Sequence, residues 1–159
     1  MTRVGVFSDS HGDRDALDRL LEMMGHIDAA CFLGDVASDA MYLRERLAAM
    51  PHGPVLYAVR GNNDLASMLP DDLLVELGGR RIHMEHGHCC PSLMTLAYRA
   101  KDRGADVALF GHTHEPLCEY AYGVLLLNPG SAGNRCRGGR ARASVLEIAQ
   151  SLRVTDVCL

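Results

Sequence analysis

The chain has 159 residues, a formal charge of −4 at pH 7 and 48% hydrophobic residues, a length and make-up that suit one compact domain over residues 1–159. Aromatics are only 5% and Trp is absent, so the core must be mostly Leu, Val, Ala and Met. No apolar run approaches the ~20 residues of a bilayer span, and the mild acidity offers no global surface for nucleic acid or membrane.

Arg3–Ser8 reads as a buried strand that starts almost at Met1, so no signal peptide is expected. Asp13 is a good N-cap for a helix over Arg14–Met24, whose Ala16, Leu17, Leu20, Leu21 and Met24 recur at helical spacing. Asp28–Leu33 is a second strand, and Ser38 or Asp39 can cap a second helix carrying Met41, Leu43 and Leu47. Pro54–Val59 is a third strand. This alternation predicts parallel strands joined by crossovers.

After residue 60 the pattern changes. Leu73–Leu77 and Arg81–Glu85 flank Gly78-Gly79-Arg80 as an antiparallel hairpin. A helix over Ser92–Arg103 ends at Gly104, and a strand follows at Asp106–Phe110. Leu117–Tyr120 and Val124–Leu127 enclose a turn at Tyr122-Gly123, and a Gly/Arg-rich loop at Gly130–Arg140 precedes strands near Ala143–Ile148 and Ser151–Val157. The predicted fold is α/β: a mixed sheet, or two mixed sheets packed face to face with helices outside.

Six cysteines, none in a Cys-x-x-Cys pair, predict reduced thiols in a cytoplasmic protein. The sharper alternative is that adjacent Cys89 or Cys90 touches a metal or senses redox state.

Metal-binding residue types gather in five segments: Asp9-Ser10-His11, Gly34-Asp35, Gly61-Asn62-Asn63-Asp64, His86-Gly87-His88 and Gly111-His112-Thr113-His114. Each follows a predicted strand, and in open α/β sheets ligands bind beyond the carboxyl ends of strands. Carboxylates, an amide and imidazoles together suit Mn²⁺, Fe²⁺, Co²⁺, Ni²⁺ or Zn²⁺ rather than an all-thiolate site. Two divalent ions against Asp9 and Asp35, with a shared hydroxide, leave about one net positive charge, which suits an anionic substrate.

These five ordered motifs resemble those of the calcineurin-like metallophosphoesterases. The short length, Arg60-Gly61-Asn62-Asn63-Asp64 and Asn128-Pro129-Gly130-Ser131 resemble the small prokaryotic YfcE-like phosphodiesterase branch. The resemblance runs from Val4 to about Ser131. It implies two packed mixed β-sheets flanked by helices. It implies one metal held by Asp9, His11, Asp35 and His114, and a second held by Asp35, Asn62, His86 and His112, with Asp35 bridging. It also implies hydrolysis by a hydroxide shared between two ions, Mn²⁺ first, with Ni²⁺, Fe²⁺, Co²⁺ and Zn²⁺ open.

One letter departs from the superfamily's phosphoprotein phosphatases. They keep a His after the ligand Asn; this chain has Asn63, which cannot act as an acid at neutral pH but can donate to a phosphoryl oxygen. His88 is then the candidate proton donor, and Asp64 fits a supporting role, orienting a ligand His or the 61–64 turn. His26, His52 and His83 are given no function. Arg135, Arg137, Arg140 and Arg142 form a basic cluster, read as a solvated loop or as one arginine reaching the substrate phosphate; without interleaved aromatics it supports a nucleic-acid platform only weakly.

The leading expectation is a phosphodiesterase of small or nucleotide-like phosphodiesters, with no membrane partner and homo-oligomerisation left open. The alternatives are a phosphomonoesterase or nucleotide hydrolase using the same site, and, in a different class, a protein-interaction scaffold like the retromer subunit of this fold.

Overall fold

The computed structural model describes residues 1–133 and 139–159. Arg135 and Arg137 of the basic cluster lie outside the described residues. The chain forms ten strands and three helices among those described. The first sheet contains β1 (Thr2–Phe7), β2 (Ala29–Phe32), β3 (Val55–Ala58), β9 (Arg142–Ile148) and β10 (Leu152–Cys158), in the order β10-β9-β1-β2-β3. The second contains β4 (Asp72–Leu77), β5 (Arg80–Glu85), β6 (Val107–Leu109), β7 (Leu117–Ala121) and β8 (Val124–Asn128), in the order β4-β5-β6-β8-β7. The helices are α1 (Arg14–Met24), α2 (Ala37–Ala48) and α3 (Leu93–Asp102). This is the face-to-face form of the expected fold.

Strand alternation explains the layers. In β1, Val4 and Val6 point between the sheets and Phe7 points outward to the helices. β2 does the same with Cys31 inward and Ala30 and Phe32 outward. The inter-sheet layer is completed by Ile82, Met84, Val107, Leu109, Leu125 and Leu127 from the second sheet. α1 and α2 cover the outer face of the first sheet, and α3 covers Ala108 and Leu126 of the second. Each fully buried Leu, Val or Phe contributes roughly 1.5–3 kcal/mol, so this layering holds the rim that follows.

β1, β2 and β3 run parallel to one another, and so do β5, β6 and β8. Their carboxyl ends deliver Asp9, Asp35, Asn62, His86, His112 and Ser131. The edge strands β4 and β7 are antiparallel to their neighbours. The β4–β5 turn is tighter than expected: Leu77 pairs with Arg80, leaving Gly78 and Gly79 at φ 57° and 77°, the two left-handed positions of a type I′ hairpin turn.

The cap of α2 also differs from expectation. The helix starts at Ala37, with Val36 at the N-cap in a left-handed conformation and without a side-chain cap of its own. Its free N–H groups are met from a distance by Asp64, whose Oδ1 accepts from Val36 N (3.1 Å) and Ala37 N (2.7 Å). Of the two expected caps, Ser38 lies inside the helix, and Asp39 is buried and faces the loop after β1.

Candidate metal centre

β1 releases the chain into a buried loop at Ser8–Ser10. Asp9 turns its carboxylate toward the rim. Oδ2 accepts from Ser8 Oγ (2.5 Å) and His112 N (3.0 Å), while Oδ1 lies 3.1 Å from His114 Nε2 and 3.9 Å from the Nε2 atoms of His11 and His86. The loop is held on both flanks. Asp39 Oδ2 accepts from Ser10 Oγ (2.6 Å) and Gly12 N (2.8 Å), and Ser131 Oγ donates to Asp9 O (2.6 Å).

β2 ends in Gly34-Asp35. Asp35 is buried, and its Oδ1 lies 3.5 Å from His86 Nε2. Its backbone N–H donates to Asp64 Oδ2 (3.0 Å), which also accepts from Gly61 N (2.8 Å). One carboxylate therefore closes the 61–64 turn, holds the Asp35 backbone and caps α2. The groups Asp64 holds are the 61–64 turn and the backbone at Asp35, not a histidine ring. Asn63 differs more. Its Nδ2 donates to Asp35 Oδ2 (2.9 Å) and its N–H to Asp35 Oδ1 (3.2 Å), so the amide is turned onto a carboxylate.

Close approach explains two glycines. A Cβ on Gly61 would stand 2.1 Å from Asp35 Oδ1, and one on Gly111 would stand 1.9 Å from Ser8 Oγ and 2.7 Å from Asp9 Oδ2. No side chain fits at either place without displacing a candidate ligand.

The rim is strained. Asp9, His11, Asp35, His112 and His114 have φ of 53°, 48°, 57°, 67° and 60°. Left-handed backbone costs a non-glycine residue roughly 1 kcal/mol, so five such residues store about 5 kcal/mol. That is comparable with a domain's net stability of about 5–15 kcal/mol. Such strain persists only where surrounding structure enforces it, and it concentrates at functional sites.

All seven predicted ligands come together. Asp9, His11 and His114 each bring one ligand atom within 4.8 Å of the others, and so do Asp9, Asp35 and His86. Asn62 Oδ1 joins the second group, 3.1 Å from both His86 Nε2 and His112 Nδ1. Asp9 is thus common to both groups, whereas Asp35 stands in the second. Asp9, Asp35 and His86 are buried, His11, Asn62 and His114 half-buried, and His112 exposed.

The donor set fits cations on chemical grounds. His86 Nδ1 donates to Leu33 O (2.7 Å), which leaves Nε2 facing Asn62 Oδ1, Asp35 and Asp9. His11 Nε2 faces His114 Nε2 at 3.2 Å, with Asp9 Oδ1 beside them. Nitrogen and oxygen donors that converge in this way can coordinate a divalent ion placed between them.

His88 sits exposed at the rim, with its ring centroid 5.5 Å from that of His86 and 6.3 Å from that of His112. Partial desolvation, then the neighbouring His86 and His112, hold its pKa below the usual 6.5. His83 is buried against Glu85 (2.8 Å), and Arg99 bridges the same carboxylate. His83 thus lies in a polar network beneath α3, outside the two ligand groups. His26 pairs with exposed Asp28 far from the rim.

The sequence profile of the calcineurin-like phosphoesterase superfamily domain matches residues 2–151. The chain belongs to that superfamily. A metallophosphoesterase relative, the probable metallophosphoesterase YsnB of Bacillus subtilis, is 34% identical over 130 residues, covering 79% of this chain and 72% of that protein. The phosphodiesterase YfcE of Escherichia coli is 29% identical over 170 residues, covering 92% and 88%. Among solved structures, zinc-complexed Vps29 of Entamoeba histolytica aligns over 99% of both chains with a TM-score of 0.74, at 23% identity; that likeness is one of fold. Within this superfamily frame, sequence reasoning missed Ser8, Asp39, Asn128 and Ser131. Asn128 Nδ2 donates to Gly111 O (2.9 Å) and Thr113 Oγ1 (3.1 Å), steadying the loop that carries His112 and His114. The Asn128–Ser131 segment was visible as a motif, but its role was not.

Proposed function

We propose that the chain is a dinuclear-metal-dependent phosphodiesterase acting on small phosphodiesters. The carrying observation is the double cluster around Asp9, in which ring nitrogens and carboxylate oxygens converge at an open rim. The metallophosphoesterase and phosphodiesterase relatives support it. Asp9, His11 and His114 would hold one ion, and Asp35, Asn62, His86 and His112 the other. Asp35 remains the proposed bridging carboxylate, although it is Asp9 that the two ligand groups share. Mn²⁺ is the first choice among Mn, Ni, Fe, Co and Zn. When bound, the ions polarise phosphoryl oxygens and lower the pKa of a coordinated water from about 15.7 toward neutral.

The protein's own part is to hold these donors in advance. Ser8 and the His112 N–H fix one oxygen of Asp9, leaving the other for the ion side. Leu33 O fixes the His86 tautomer. Asn63 and Asp64 together fix Asp35, one at the carboxylate and one at the backbone. His88, at the rim, is the proposed contact for the departing oxygen. Residues 1–159 act as one domain, a reading supported by the continuous inter-sheet layer, and the unpaired thiols among the described residues support a cytoplasmic setting.

The test is to add Mn²⁺ and compare bis-p-nitrophenyl phosphate with p-nitrophenyl phosphate. Cleavage of the diester alone supports the proposal. Cleavage of the monoester favours a phosphomonoesterase, and no turnover with any divalent metal favours a scaffold. Asp35→Asn must abolish turnover; retained activity sinks the assignment.

A further inference from the structure

Beside the metal centre the rim opens into a cleft of about 330 Å³, lined chiefly by Arg60, Asp71, Asp72, Glu85, His88 and Arg99, with His86 also in its wall. Its volume falls within the range of small-molecule sites, about 300–1,000 Å³. Charged and imidazole side chains make up most of its lining, with Gly87 and Cys89 completing it; it contains no aliphatic side chain and no aromatic ring other than imidazole.

The charges in this cleft are matched in pairs. Arg60 Nε donates to Asp71 Oδ1 (2.6 Å), Arg99 Nη1 to Glu85 Oε2 (2.7 Å), and Arg103, the C-cap of α3 and outside the lining itself, pairs with Asp72. Three guanidiniums therefore offset three carboxylates. The pairing leaves hydrogen-bonding capacity unused. Among the described residues, the two terminal nitrogens of Arg60 and the second oxygen of Asp71 have no partner, and Arg99 uses only Nη1. Guanidinium donors and a carboxylate acceptor thus stand side by side, held in place by their own ion pair.

That surface selects by elimination and by fit. An anionic group would meet three carboxylates, and a cationic group would meet arginines. An apolar group would strip water from paired ions without replacing their hydrogen bonds. A hydroxyl is both donor and acceptor, so adjacent hydroxyls can bridge a guanidinium and a carboxylate at once. We propose that this cleft receives a neutral, hydroxyl-rich ester arm of the substrate, so that the chain hydrolyses polyol or sugar phosphodiesters. The proposal rests on the phosphodiesterase reading above and names the substrate class of that site.

The experiment holds the leaving group constant. Four p-nitrophenyl diesters, whose second arm is methyl, glyceryl, choline or phosphoglyceryl, are assayed with the Mn²⁺-loaded protein. The glyceryl diester is expected to exceed the methyl diester roughly tenfold in kcat/KM, the effect of one or two hydrogen bonds, mostly through KM. In Arg60→Met/Asp71→Asn that ratio falls to about one. Should the double variant fail to fold, Asp71→Asn alone, at the most exposed member of the pairs, must lower the ratio. A wild-type ratio near one, a preference for a charged arm, or a preference that survives the substitutions overturns the proposal. If no diester is turned over, the phosphodiesterase reading has failed, and the cleft is judged by binding. Calorimetry should then show glycerol phosphate binding roughly tenfold tighter than methyl phosphate; equal binding overturns the proposal independently.

Discussion

Replacing Asp64 by alanine removes one carboxylate and strands four N–H groups. They belong to Gly61, Asp35, Val36 and Ala37, and their bonds measure 2.8, 3.0, 3.1 and 2.7 Å. Gly61 and Asp35 are buried, so their donors cannot turn to water, whereas Val36 and Ala37 are half-buried. A buried donor left unsatisfied costs about 1–3 kcal/mol, and losing a helix cap costs about 1 kcal/mol. The sum is about 3–7 kcal/mol, a fifth or more of an ordinary domain's stability of about 5–15 kcal/mol. At roughly 2–4 °C per kcal/mol for a domain of this size, Tm should fall by about 6–28 °C. Asp64→Asn keeps one acceptor oxygen and should lose about half as much. Both variants also loosen the backbone at Asp35, so calorimetric titration with Mn²⁺ should show affinity reduced roughly 10–100-fold. Urea denaturation in the presence of a chelator separates the two effects. A loss below 1 kcal/mol for the alanine variant, or unchanged Mn²⁺ affinity, would refute the reasoning that one carboxylate ties the turn, the helix and the ligand together.

Gly61→Ala sets a methyl group 2.1 Å from Asp35 Oδ1 and should weaken Mn²⁺ binding at least about tenfold, with overpacking costing about 1–3 kcal/mol; wild-type affinity would contradict the close-approach account. The buried Cys31 thiol is pushed up to about 12 from 9.0 by desolvation. Because this folded pKa is raised, the stability it carries is present below pH 9 and lost as pH rises from 9 toward 12, at about 1.4 kcal/mol per pH unit. Denaturation between pH 9 and 11 should therefore show a steeper decline in wild type than in Cys31→Ala, and native protein should alkylate at Cys89 and Cys118, which are exposed, before Cys31. Chelation should lower Tm, and Mn²⁺ at 100 times its Kd should return about 2.7 kcal/mol; a metal-insensitive melting curve would count against the centre. Asn63→His should flatten the dependence of rate on leaving-group pKa, whereas identical slopes would show that position 63 does not govern protonation.

Much of the fold was legible because its signals are local. Helical spacing from Ala16 to Met24 and alternation in β1 each arise within one element. The hairpin was found but its turn was drawn one residue too long, since Gly78-Gly79 suffices when both adopt positive φ. The local pattern offers Ser38 or Asp39 as the cap of α2, since such residues near a helix start usually serve that end, but Asp39 is turned elsewhere. Its partners, Ser10, Gly12 and Arg14, lie 25 to 29 residues away in the chain, beyond any local pattern.

The sequence by itself determined which donor types exist and that each follows a strand. With parallel strands, that order sends them to one rim, and the superfamily followed from the same residues. Only the tertiary structure decided which atoms meet: that Asp9 is common to both ligand groups, that Asn63 is turned onto Asp35, and that Asp64 rather than a residue of α2 caps that helix. It also decided that the end of β5, the segment after Arg60 and Arg99 of α3 enclose a cleft of paired charges beside His86. The physical reason is distance along the chain. Ligand types are set residue by residue, whereas aim, support and the neighbouring cleft depend on contacts between segments that meet only when the two sheets pack.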